Sequence, residues 1–236
     1  MKSGTLKSHQ SALLAAAGAS ILLWAIPGAQ WAMLPLTYLN THVHELCHAL
    51  ATQATGGHVE MIKVFANGSG VTPVLGGSIF VLAASGYLGA TLVGTWLILA
   101  SRSEAGARNA LYALAGALVF SMVVWVRGDA VGVASGIFWI AAILGVARYA
   151  RGATLLFLAQ FVGVQQGLNS IGSVYDLLKI SLATDAHSDA RIMQVTTGVP
   201  ASVWAVAWCM ISLSLLTLGL RKAWSQSPRV RTSRAG

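Results

Sequence analysis

Seven stretches of this chain are apolar for long enough to cross a lipid bilayer, and that succession restricts the fold more than any other feature. They fall near 11–29, 30–54, 74–100, 109–126, 130–147, 152–179 and 199–220. A hydrocarbon core about 30 Å thick takes about 20 helical residues at about 1.5 Å rise each. The expected fold is an all-α integral membrane protein, a polytopic bundle of six or seven transmembrane helices. No linker is long enough to separate a soluble domain, so 1–236 reads as a single unit with a basic tail at 221–236.

Composition agrees. Of the residues 56% are hydrophobic and 9% charged, against about 25% charged in an average soluble domain. The formal charge of +8 does not indicate a nucleic-acid partner, because the basic residues lie at the two ends and in short loops rather than along one amphipathic face. Lys2 and Lys7 precede the first apolar run, and Arg221, Lys222, Arg229, Arg231 and Arg234 follow the last. The positive-inside tendency then puts both termini in the cytoplasm, which requires an even number of crossings. Seven runs conflict with that parity, so one is expected to be re-entrant, or Pro27-Gly28 to interrupt an incomplete hairpin. No small-x-small cleavage site follows the first run, which is therefore expected to stay as a helix. Cys47 and Cys209, the only cysteines, lie in predicted spans and indicate no redox compartment.

Against this apolar background, residues 44–48 read His44-Glu45-Leu46-Cys47-His48. On a helix, positions i and i+4 share a face, so both imidazoles can present a nitrogen to one tetrahedral ion. Glu45 flanks that face, placed to take a proton from zinc-activated water and pass it to a leaving amine. Chance supplies ~0.002 such patterns at this composition, an order-of-magnitude figure for a short motif. The plainer alternative is a polar helix face satisfied by neighbouring helices, but an ionisable group at lipid depth costs ~3 kcal/mol and marks a site or pathway. His42 lies on a different face, which suits a supporting or water-exposed role, and Cys47 is expected to pack as a small hydrophobe.

A catalytic zinc site has three protein ligands and one open position, and few carboxylates remain. Glu104 and Asp129 read as solvated loop charges beside cations, and Glu60 is a weak candidate. Asp176 lies towards the end of an apolar run, where a carboxylate needs a proton or a partner. Asn169, two helical turns earlier, is positioned to donate to a substrate or oxyanion. Plain interhelical contact and interfacial capping are the alternatives for that pair. Asp185, His187 and Asp189 form a second cluster whose composition suits a loop and a helix cap; Asp189 is the reserve ligand.

Between these segments, Asn67-Gly68 signals a tight turn in a short membrane-associated β-hairpin, whose edge could accept a peptide as an added strand. A surface loop is the alternative. Gly86, Ala90 and Gly94 recur every four residues, a spacing that serves close helix packing. Tryptophans, Trp24, Trp31, Trp125, Trp204 and Trp208 among them, suit interface anchors or burial between helices.

With HELCH at 44–48, the GG and NGSG segment, GYLG at 86–89 and LNSIGSVYDL at 168–177, the chain resembles the site-2-protease-like intramembrane zinc metalloproteases, in particular their smaller, divergent bacterial-type branch. The resemblance implies a Zn2+ ion held by His44, His48 and Asp176, with Glu45 as general base and Asn169 holding substrate. It also implies hydrolysis of peptide bonds in membrane-embedded or membrane-proximal segments, and a place in a bacterial cytoplasmic membrane. The chain departs from the better-known members in lacking prolines between Asn169 and Asp176 and a glycine after Asp176. Two other functions stand beside this one: an ion or proton transporter using the buried His and Asp residues, and a non-catalytic membrane scaffold.

Overall fold

A computed structural model of the protein describes residues 6–26, 30–183 and 188–225, the side chains of 30–32, 169–171 and 173–183 excepted. Seven long helices account for most of it: α1 (Ser8–Ala25), α2 (Gln30–Ala54), α3 (Ile79–Ala100), α4 (Glu104–Val124), α5 (Ala130–Tyr149), α6 (Gly152–Ala183) and α8 (Ala201–Ser225). A short helix, α7 (Asp189–Thr197), precedes the last. These follow the apolar runs of the sequence closely, because at bilayer length each run can satisfy its backbone only within itself. Among the described residues, four helices (α3, α4, α5 and α8) are both long and apolar enough to cross a membrane, so the expected six or seven crossings are not all accounted for. Polarity explains α2, which carries Asn40, Thr41, His42, Glu45, His48 and Thr52, all buried. Such a helix sits inside a bundle rather than against lipid. Pro27-Gly28, where an incomplete hairpin was expected, lies outside the described residues.

α3 is the central element, packing on α2, α6, α7 and α8. Small residues allow this: a Cβ on Gly94 would lie 2.5 Å from the Gly163 carbonyl oxygen of α6, so the two backbones touch. One core cluster joins Leu39, Val43, Leu97, Leu111, Leu118 and Leu155 across α2, α3, α4 and α6. A second holds α7 to α3 and α8 through Ala83, Tyr87, Ala190, Met193, Ala205 and Trp208.

Helix ends follow local chemistry. Asp129, expected as a solvated loop charge, is the N-cap of α5 and accepts from the backbone N–H of Val131 and Gly132 at 2.8 and 3.0 Å. Ser103 caps α4 and Ser188 caps α7. Arg108 donates to the Ala147 and Ala150 carbonyls, satisfying the C-terminal end of α5.

The hairpin forms as expected between α2 and α3. Its inner pair, β2 (Lys63–Val64) and β3 (Gly70–Val71), and its outer pair, β1 (His58–Val59) and β4 (Val74–Leu75), are antiparallel, with Val64 opposite Gly70 and Val59 opposite Val74. Asn67 Oδ1 accepts from the Ser69 N–H at 3.0 Å, and Gly68 takes φ +85°, a conformation that disfavours any side chain. Next to β2, Ile62 pairs with the α4–α5 connection, donating to the Trp125 carbonyl at 2.9 Å.

Candidate metal and catalytic centre

The stretch from Tyr38 to Thr52 of α2 presents two functional faces. One carries His44 and His48 towards α3 and α7, and the other carries Tyr38, Thr41 and Glu45 towards the hairpin. On the first face, the Nε2 atoms of His44 and His48 lie 2.9 Å apart. Asp189 Oδ2 is 3.4 Å from the first and 3.2 Å from the second. These three side chains form the His/Cys/Asp/Glu group able to share an ion among the described residues.

The donor set fits zinc. A tetrahedral ion with bonds of about 2.0–2.1 Å has ligand-to-ligand edges of about 3.3 Å, and the three separations observed, 2.9, 3.4 and 3.2 Å, bracket that value. The tautomer fits as well. His48 Nδ1 lies 2.8 Å from the Leu82 carbonyl oxygen; a carbonyl only accepts, so Nδ1 carries the proton and Nε2 keeps its lone pair for an ion. The Ser85 hydroxyl, 3.2 Å from the same Nδ1, donates to the Leu82 oxygen and braces it. His44 stands edge-on to Tyr87 at 4.7 Å between centroids, and Tyr87 stacks on Trp208 at 5.5 Å.

Room for an ion comes from Gly86. A Cβ there would lie 2.3 Å from His44 Nε2 and 2.5 Å from His48 Nε2. The Gly86/Ala90/Gly94 stripe therefore divides by function: Gly94 serves packing against α6, and Gly86 keeps the space beside the imidazoles clear.

Asp189 reaches the pair as the first residue of α7, where the helix dipole favours a carboxylate. The loop-and-cap reading of this segment is half of the picture: Ser188 supplies the cap, accepting from the Arg191 N–H at 3.2 Å, and Asp189 is released to face the histidines. Asp176 and Asn169 both lie on α6, but their side chains are outside the described residues, as are Asp185 and His187. The carboxylate found at the histidine pair is the reserve one.

On the second face Glu45 is 5% exposed and accepts from the Thr72 hydroxyl, Oγ1 to Oε2, at 2.7 Å. Thr72 was not among the residues the sequence singled out; its role depends on the hairpin folding back over α2. His42 is not water-exposed: it is buried at 1% and its Nε2 pairs with Ser135 Oγ of α5 at 3.0 Å. Cys47 packs as a small hydrophobe, its sulfur 2.5 Å from where a Cβ on Gly89 would stand. Glu60 and Glu104 are exposed.

The sequence pattern described as Peptidase M50B-like matches residues 13–219. The chain belongs to that family. Peptidase M50B-like proteins are of the site-2-protease family, so the resemblance carried by HELCH, GYLG and LNSIGSVYDL extends over most of the sequence. Family and architecture together identify an integral membrane protein of metallopeptidase type. No curated protein and no solved structure matches the chain.

Proposed function

We propose that this M50B-like protein is an intramembrane zinc endopeptidase, with His44, His48 and Asp189 as metal ligands and Glu45 as general base. The observation that carries the reading is the meeting of three donor atoms at tetrahedral-edge spacing beside a glycine that leaves the space open. Zinc there would supply Lewis acidity towards water and towards a carbonyl oxygen. Glu45, next in sequence to a ligand yet on the neighbouring face, takes the proton from the attacking water and delivers it to the leaving nitrogen. His48, oriented by the Leu82 carbonyl, holds its ligating nitrogen in place through that cycle. Asn169 of α6 is assigned to hold the substrate main chain, and Asp176 on the same helix is the alternative third ligand.

The substrate is a membrane-embedded or membrane-proximal peptide segment, and the bilayer restricts bulk water around the site. Ile62 of the hairpin already pairs with the α4–α5 connection, which leaves the β3 side, over Glu45, for an added strand. The protein belongs in a bacterial cytoplasmic membrane with both termini on the cytoplasmic side.

The test is cleavage of a membrane-tethered reporter by purified protein in liposomes, with zinc content measured on the same samples. Glu45→Gln is expected to keep its zinc and to lose activity by about 10²–10⁴-fold, the usual contribution of general base catalysis. Undiminished cleavage by Glu45→Gln, or by protein stripped of metal, would overturn the proposal.

A further inference from the structure

The hairpin is fastened to α2 by a row of polar contacts that packing does not explain. Tyr38 donates its hydroxyl to the Ala66 carbonyl at 2.8 Å, Thr41 donates to the Gly68 carbonyl at 2.6 Å, and Thr72 donates to Glu45 Oε2 at 2.7 Å. Tyr38, Thr41 and Glu45 follow one another at i, i+3 and i+7, a single face of the helix. The first two contacts end on backbone carbonyls and fix where the hairpin lies. The third ends on the carboxylate assigned as general base.

Thr72 has one hydroxyl proton and two acceptors within reach, Glu45 Oε2 at 2.7 Å and the Glu45 backbone oxygen at 3.3 Å. The side-chain oxygen is the nearer acceptor, at the usual length of an O–H···O bond, whereas 3.3 Å to the backbone oxygen is long for one. Thr72 is itself held, because Pro73 follows it and accepts from the Glu60 N–H at 3.0 Å across the hairpin. The other carboxylate oxygen meets Gly70: a Cβ there would stand 2.6 Å from Oε1 and 2.8 Å from Cγ of Glu45. The carboxylate is thus gripped on one oxygen by a hydroxyl and bordered on the other by a residue with no side chain.

Resting on the assignment of Glu45 as the base, we propose that Thr72 is the positioning residue of the catalytic carboxylate: by committing Oε2 it fixes the rotamer and leaves Oε1, over Gly70, as the oxygen that accepts the proton. The hairpin therefore sets the geometry of proton transfer besides lying where a substrate strand would run. A positioned base differs from a free one in turnover, because misplacement by about 1 Å can cost about 100-fold in rate while binding is unaffected.

The experiment is steady-state cleavage of the membrane-tethered reporter by wild type, Thr72→Val, Thr72→Ser and Glu45→Gln, with zinc content measured on each. Thr72→Val is expected to lower kcat by about 10- to 100-fold with KM and zinc content unchanged, and Thr72→Ser to stay within about threefold of wild type because it keeps the hydroxyl. Where Thr72→Val does not accumulate as folded protein, Thr72→Ala makes the same comparison without a methyl group in place of the oxygen. A kcat for the hydroxyl-free variant within about threefold of wild type, a loss confined to KM, or a Thr72→Ser variant as impaired as Thr72→Val overturns the proposal. Wild type cleaving no faster than Glu45→Gln is a different failure, of the proteolytic reading itself, and overturns both.

Discussion

Gly86→Ala adds one methyl group to a protein of 236 residues and is expected to remove its metal. The new carbon would stand 2.3 Å from His44 Nε2, 2.4 Å from His44 Cε1 and 2.5 Å from His48 Nε2, where a comfortable contact between such atoms is roughly 3.5 Å. About 1 Å of relief is needed, and little is available. His48 is pinned through Nδ1 to the Leu82 carbonyl one turn away on the same helix as Gly86, and His44 is bounded by Tyr87. Ligand nitrogens displaced by about 1 Å no longer match a shell that tolerates about 0.2 Å. Disturbing only a partner of a metal-bound histidine weakens binding about 10- to 100-fold, so a direct clash with two ligands is expected to cost at least 100-fold, about 2.8 kcal/mol. The helix itself would not suffer, since Ala is about 1 kcal/mol better than Gly in a helix interior. The assay is zinc titration of detergent-purified protein, followed by circular dichroism to show that helix content is retained. Gly89→Ala is the control on the same helix, because its Cβ meets Cys47 Sγ at 2.5 Å rather than a ligand. Zinc affinity of Gly86→Ala within about threefold of wild type, with helix content intact, would refute the argument that this glycine clears the ion's space.

His42→Ala separates the two kinds of histidine on α2: it is expected to destabilise the protein by about 1–3 kcal/mol, through the lost bond to Ser135 and the space left behind, and to leave zinc content unchanged. Denaturation in mixed micelles with metal analysis reads both, and loss of zinc would contradict the separation. Gly94→Ala is expected to cost about 1–3 kcal/mol by overpacking, because its Cβ would meet the Gly163 carbonyl oxygen at 2.5 Å and backbone cannot rotate aside. An unchanged unfolding midpoint would show that α3 and α6 do not lie so close.

What the sequence made legible was local. The long helices follow runs of apolar residues, the Asn67-Gly68 turn follows from its own backbone chemistry, and the two histidines with Glu45 share a helix whose periodicity places them without reference to the rest of the chain. What it hid was tertiary. Asp189 reads as part of a loop and cap because its neighbours are Thr, Ser and Asp; only the docking of α7 through Ala190 and Met193 onto α3 and α8 brings it to the imidazoles. Gly86 and Gly94 are indistinguishable in a small-residue stripe, and what faces each one decides whether it serves chemistry or packing. Thr72 carries no signal of its own, since a threonine after a hairpin strand is ordinary until the hairpin folds over Glu45. Asp129 lies in a charged connection and Arg108 near the start of α4, yet each caps α5, at opposite ends.

The central claim, that the carboxylate completing the ligand set comes from α7, is tested most directly by metal content. Zinc per chain is measured by mass spectrometry on purified wild type, Asp189→Ala and Asp176→Ala. The account predicts close to one zinc in wild type and in Asp176→Ala, and almost none in Asp189→Ala. Stoichiometric zinc bound to Asp189→Ala with unchanged affinity would contradict it.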